Sequence, residues 1–121
     1  MVTFSFRVEN QTEVDHSLTL INITPPQAQY NPQPAQTIDD GDDNDFAISD
    51  PGVQLTSTLS YRLNDGNGHQ VGTYDFTFTF NGQFSYQQTL SPGLDVFIDV
   101  EDNGDNSFEI DITCQMQATA Q

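Results

Sequence analysis

The chain contains no lysine and no tryptophan, a single cysteine (Cys114), and only two fixed cations, Arg7 and Arg62. Each scarcity closes a class of function. Phosphate binding needs a cationic footprint, so nucleic acid is excluded as a direct partner, and so is a polybasic membrane tether. A lone cysteine builds neither an internal disulfide framework nor a cysteine-rich zinc site. Without tryptophan there is no indole platform for a sugar and no indole anchor at a membrane interface. No apolar run approaches the ~20 residues of a membrane-spanning helix. Met1 leads straight into Val2, Phe4, Phe6 and Val8 with no basic or apolar leader. The expectation is therefore synthesis in the cytoplasm without a signal peptide, with release or storage as an inclusion left open.

What is abundant is acid. Asp and Glu number 18 against 2 basic residues, a formal net charge of −16 over 121 residues. That length predicts one domain, residues 1–121. Its folded surface should be roughly 6,500 Å². Sixteen charges on that area repel, but a Debye length of roughly 8 Å screens much of the repulsion, so stability should rise with salt. The composition suits a halophile, an acidic niche, or a protein kept soluble by charge. Hydrophobic residues are 35% of the chain, which is low, yet they alternate in clean runs and include nine phenylalanines. Such runs argue for a packed core rather than disorder.

The periodicity is two almost everywhere, the signature of half-buried strands. Val2, Phe4, Phe6 and Val8 open it, in a strand with little to cover it that reads as a sheet edge. Leu18 and Leu20 give way to Ile21 and Ile23, a phase slip that predicts a bulge. Residues 24–37 hold four prolines and four glutamines and, with the acidic stretch to Asp45, read as one long loop over 24–45. Then come a short strand at Phe46 and Ile48, and a long one with Val53, Leu55, Ser57, Leu59, Tyr61 and Leu63 on one face. Tyr74, Phe76, Phe78 and Phe80 follow, with threonines opposite. Asn81-Gly82 predicts a type I′ hairpin into Phe84, Tyr86 and Leu90. Leu94, Val96, Ile98 and Val100 should pair with Phe108, Ile110, Ile112, Cys114 and Met116 across the Asp102-Asn103-Gly104 turn. The sum is an all-β, antiparallel β-sandwich of about eight strands, with a closed barrel as the alternative.

Few residues suggest chemistry. His16 and His69 sit in turn-like surroundings outside any catalytic motif, and Cys114 alternates inward with Ile110 and Ile112 as a small hydrophobe. Glu9, Glu13, Glu101 and Glu109 lie near strand ends, so paired-carboxylate hydrolysis has no cleft to occupy. The reading is a protein that is not an enzyme. Asp39, Asp40, Asp42, Asp43 and Asp45 crowd one turn, and an oxygen-rich cluster of this kind suits calcium as a cofactor. Tyr30, Tyr61, Tyr74 and Tyr86 are candidates for binding a ligand or membrane, against the plainer reading that they rim the core. The sequons Asn10-Gln11-Thr12 and Asn22-Ile23-Thr24 read as chance matches.

Val8, Asn10 and Thr12, then His16, Leu18 and Leu20, form an N-x-T turn between two strands. A Pro-containing loop, a strand near Phe46, and Ser60-Tyr61-Arg62-Leu63-Asn64-Asp65-Gly66 follow. Over residues ~2–80 this order resembles the aegerolysin family, particularly the small subunit of two-component bacterial insecticidal crystal toxins. The resemblance implies a β-sandwich that binds membrane lipid or a receptor, as a toxin component acting with a larger protein partner. The family's tryptophans and Cys-Pro-Trp-like segment have no counterpart here, so its lipid-binding residues are not carried over. Net negative charge favours neutral or zwitterionic headgroups. Two other readings stand beside it. One is an acidic β-protein that self-associates through strand edges into a homo-oligomer, filament or lattice. The other is a calcium-responsive binding module.

Overall fold

The computed structural model describes residues 1–117. They form nine strands: β1 (Val2–Gln11), β2 (Ser17–Thr24), β3 (Thr37–Asp39), β4 (Asp43–Asp50), β5 (Gln54–Asn64), β6 (Gln70–Asn81), β7 (Phe84–Leu90), β8 (Leu94–Asp102) and β9 (Ser107–Met116). One sheet runs β4-β1-β9-β8, and the other β3-β2-β5-β6-β7. The two face each other as a sandwich.

Alternation explains the layers. Every second residue of β1, β5 and β6 is buried, and Ser57 joins Leu55, Leu59, Tyr61 and Leu63 inside. Aromatic rings lock the sheets together. Phe6 of one sheet meets Phe78 of the other with centroids 5.3 Å apart, and Phe108 stacks on Phe84 at 4.8 Å. Such pairs add about 0.5–1.5 kcal/mol each beyond their burial.

Several expectations were met in detail. Register shifts between Leu20 and Asn22, placing the bulge at Ile21, and β8 pairs β9 from Leu94↔Met116 to Val100↔Ile110. The Asn81-Gly82 hairpin also forms, but Phe80 pairs Phe84 across three residues and only Gly82 of the dipeptide has positive φ, at 77°. It is therefore not a two-residue type I′ turn.

Other expectations are corrected. β1 is not an edge: it lies between β4 and β9 and runs parallel to β9, so this sheet is mixed. A strand whose inward residues are at most 2% exposed needs neighbours on both sides, and the chain's other end supplies one. Val53 lies before β5 and is 72% exposed. Residues 24–45 are not one loop. A 3-10 turn at Gln27–Gln29, β3 and the start of β4 interrupt them. Asn31 N–H donates to Ala47 O at 2.8 Å and Ala47 N–H to Pro32 O at 3.3 Å, tying the Pro/Gln segment along the free edge of β4.

Candidate functional site

The pleat sorts charge onto one face. On the outer side of the four-stranded sheet, Asp43 stands opposite Glu9, Asp45 opposite Arg7, Asp111 opposite Asp99, and Glu109 opposite Glu101. Arg7 pairs Asp111 as well, across the parallel ladder. Its guanidinium forks onto Asp45, Nε to Oδ1 at 2.9 Å and Nη2 to Oδ2 at 3.3 Å. That hydrogen bond holds the Asp45 carboxyl below the usual range, against an opposing effect of burial and with the Arg7 charge assisting. Asp111 is pushed the other way, by partial burial first and then by Glu9, Asp99 and Glu109, with Arg7 opposing. Arg7, Asp45, Glu109, Asp111 and Pro32 line a hollow of about 430 Å³. Both partners of the ion pair are half exposed, so solvent weakens it.

The outer side of the five-stranded sheet differs. Its rows read Thr24–Thr58–Thr77–Gln87, Asn22–Ser60–Asp75–Thr89 and Thr37–Thr19–Arg62–Thr73, with Thr56–Thr79–Ser85 beyond. Hydroxyls therefore repeat about every 4.8 Å across strands and about every 6.8 Å along them. Neighbours on this face touch: Thr24 and Thr58 share a hydroxyl hydrogen bond within a row, and Asn64, which pairs Ser17, donates from Nδ2 to Thr19 Oγ1 at 3.2 Å. Only Asp39, Arg62 and Asp75 carry charge on this face. The T-x-T spacings at 56–58 and 77–79 signalled a polar face in the sequence, but not that the threonines of separate strands would align.

The four candidate tyrosines are not brought together at a surface. Tyr30, Tyr61 and Tyr74 are at most 2% exposed, and Tyr86 alone is exposed, at 42%. Tyr30 plugs the core from the Pro/Gln segment, its hydroxyl donating to Thr24 O at 2.9 Å and bonding Ser57 Oγ at 2.5 Å. Tyr74 donates to Gln115 O at 2.5 Å. Among the described residues, the Tyr61 hydroxyl has no partner. Burial pushes all three phenols up. Large inward positions of strands demand bulk, and tyrosine fills them as phenylalanine does.

Nor does the acidic turn converge. Among the described residues no group of three or more His, Cys, Asp or Glu side chains could hold a metal ion. Asp39 belongs to the five-stranded sheet, Asp43 and Asp45 to the four-stranded one, and Asp45 is engaged by Arg7. The chain passes from one sheet to the other between Asp39 and Asp43, and among the described residues the carboxylates expected to bind calcium, Asp39, Asp40, Asp42, Asp43 and Asp45, form no metal-holding group.

Cys114 is fully buried and its thiol is pushed up by that burial, the opposite of an activated nucleophile. His16 Nδ1 lies 3.1 Å from Val14 O, and His69 Nδ1 lies 3.7 Å from Asp65. Among the described residues, neither histidine hydrogen-bonds a serine or cysteine side chain. Asn10, in contrast, is fully buried and donates to Ile38 O at 2.8 Å, while its Oδ1 accepts from Thr12 N–H and Oγ1 at 3.1 and 2.7 Å. The first N-x-T segment is thus a structural clamp between β1 and β3. The exposed apolar side chains Met1, Val14, Ile21, Val53, Tyr86 and Phe97 come from separate segments.

No protein-family model matches the chain, and no curated protein matches it. The class that stands is the one defined by the fold: an all-β sandwich of a four-stranded and a five-stranded sheet.

Proposed function

We propose that this is a non-enzymatic binding protein of the aegerolysin kind, which docks on neutral or zwitterionic membrane lipid through the outer face of its five-stranded sheet. The observation that carries the reading is the segregation of charge. In a chain of net charge −16, one broad sheet face presents aligned hydroxyls with few charges, while the opposite face collects carboxylates. Hydroxyls and amides hydrogen-bond phosphocholine-type headgroups without the repulsion that an anionic surface would meet. A larger protein partner would then convert attachment into membrane damage, as the family resemblance implies.

Vesicle co-sedimentation tests this. Phosphatidylcholine vesicles should retain the protein, and replacing them with phosphatidylserine vesicles at low salt should release it. Thr58→Glu with Thr77→Glu, which adds two charges to the centre of the hydroxyl face, should weaken binding by about tenfold or more, or ~1.4 kcal/mol. Glu substitutions of Ser5 and Thr113 on the opposite face should leave it unchanged. Equal loss from either face, or no binding to phosphatidylcholine, defeats the reading.

A further inference from the structure

A sandwich of two open sheets has four edge strands, here β3, β4, β7 and β8. Unpaired edges template association, and stable folds blunt them. Three of these are blunted, each differently. β3 is only three residues long. The Asn31–Pro32 backbone covers β4. β8 carries Asp95, Asp99, Glu101 and Asp102, and Asp95 Oδ1 accepts from the Val96 N–H at 2.9 Å. Self-pairing of β8 about its centre, Ile98, would set Asp95 against Glu101 twice.

β7 has none of these devices. Its sequence, Phe84-Ser85-Tyr86-Gln87-Gln88-Thr89-Leu90, holds no charge, no proline and no glycine. No described loop or side chain hydrogen-bonds along its free edge. Its inward residues are incompletely covered: Phe84 and Leu90 are only partly buried against the core, and Tyr86 is 42% exposed. The absence of charge is the informative feature. Two copies at −16 each can approach closely only where neither carries charge, and β7 is such an edge.

We infer that β7 is a self-association edge, and that its occupant is β7 of a second copy of this chain. The strand is seven residues long, so antiparallel pairing about a two-fold axis at Gln87 uses its full length. Ser85 then lies opposite Thr89 of the second copy, Phe84 opposite Leu90, and Tyr86 opposite Gln88. Every pair is uncharged, and the partly buried Phe84 and Leu90 each gain an apolar neighbour, while Tyr86 meets the neutral amide of Gln88. Two five-stranded sheets become one of ten, which extends the hydroxyl face rather than hiding it. The dimer forms against the mutual repulsion of the acidic faces, so it strengthens as salt shortens the Debye length from roughly 30 Å at 0.01 M to roughly 3 Å at 1 M.

Light scattering coupled to size exclusion, over a range of protein concentration at low and high salt, tests this. The expected result is a mass rising with concentration from 13.5 kDa towards twice that value, and more readily at high salt. Gln87→Asp places two carboxylates face to face at the axis and should restore the monomer. Gln87→Lys should do the same through two ammonium groups. Mixing the two variants should recover the dimer, because opposite charges then meet across the axis. Thr56→Asp, on the same sheet face but away from the edge, adds the same charge and should leave association intact. A wild-type monomer at every salt and concentration overturns the inference. So does a dimer that Gln87→Asp and Thr56→Asp weaken equally, or two variants that stay monomeric when mixed.

Discussion

The Tyr61 hydroxyl is buried without a partner among the described residues, whereas those of Tyr30 and Tyr74 are hydrogen-bonded. A buried donor left unmade costs about 1–3 kcal/mol, while a satisfied one contributes about 1 kcal/mol. Tyr61→Phe should therefore hold or raise stability, and Tyr30→Phe and Tyr74→Phe should each lower it by about 1 kcal/mol. Urea denaturation of the three variants checks the ordering, and a Tyr61→Phe protein less stable than the other two would contradict it. Asn10 is the opposite case. It is fully buried, its amide reaches Ile38 O, and its carbonyl accepts from Thr12. Asn10→Ala leaves the Ile38 carbonyl and the Thr12 donors short of partners and opens a small cavity, so a loss of about 2–3 kcal/mol is expected. Thr12→Val should cost less, about 1 kcal/mol, because water can reach that partly buried end. Thermal unfolding of both variants tests the clamp. The same burial removes the first sequon from consideration as a glycan acceptor in the folded protein.

At the level of strands, direct like-charge neighbours are the unusual feature. Glu101 faces Glu109 and Asp99 faces Asp111 across β8 and β9. Like charges directly opposite on a sheet are destabilising, though exposure reduces the cost. Glu101→Lys should stabilise the fold by up to about 0.5 kcal/mol. Glu13→Lys makes the same change in net charge in a turn, so a larger gain at 101 isolates the cross-strand effect in denaturant titrations. The strands themselves were largely legible. β6, β8 and β9 announce themselves through runs of four or five alternating apolar residues, β5 through such a pattern broken only at Ser57, and glycine-bearing turns fix the β6–β7 and β8–β9 hairpins. What alternation does not encode is who lies beside whom across the chain. The pairing of β1 with β9 joins residues about a hundred positions apart, so β1 looked like an edge until the other end of the chain was placed. β3 was hidden because three residues are too few to show a period. The candidate sites failed for a related reason. Asp39 to Asp45 are neighbours in sequence, but the change of sheet separates Asp39 from Asp43 and Asp45, and Arg7 engages Asp45. The threonines of the hydroxyl face are distant in sequence and are assembled by strand order.

For the whole molecule, acidity makes pH and salt the governing variables. Two groups of carboxylates act in opposite directions. Asp111 is raised above its ordinary value of 3.8 by partial burial and its acidic neighbours, so the folded state binds its proton more tightly than the unfolded chain. That makes a contribution to stability that is lost as pH rises through its folded pKa, and regained on acidification. Asp45, held down by Arg7, and Asp65, held down by the backbone N–H groups of His69 and Asn67, act the other way. Their contributions are present above 3.8 and are lost as pH falls through their lowered values. General repulsion among 18 carboxylates adds to the first effect, because each proton bound lowers the net charge. Stability should therefore increase from neutral pH into mild acid, pass through a maximum near the ordinary aspartate value of about 4, and fall at lower pH. Salt should raise stability at neutral pH more than at the maximum, since screening and protonation relieve the same repulsion. Association would add stability by mass action and blur the comparison, so the Gln87→Asp protein at low concentration is the proper material. Urea midpoints across pH, at low and high salt, give the answer. A steady decline in stability from neutral pH downwards would show that the paired carboxylates outweigh the repelling ones, and would remove mutual repulsion as the main limit on this fold.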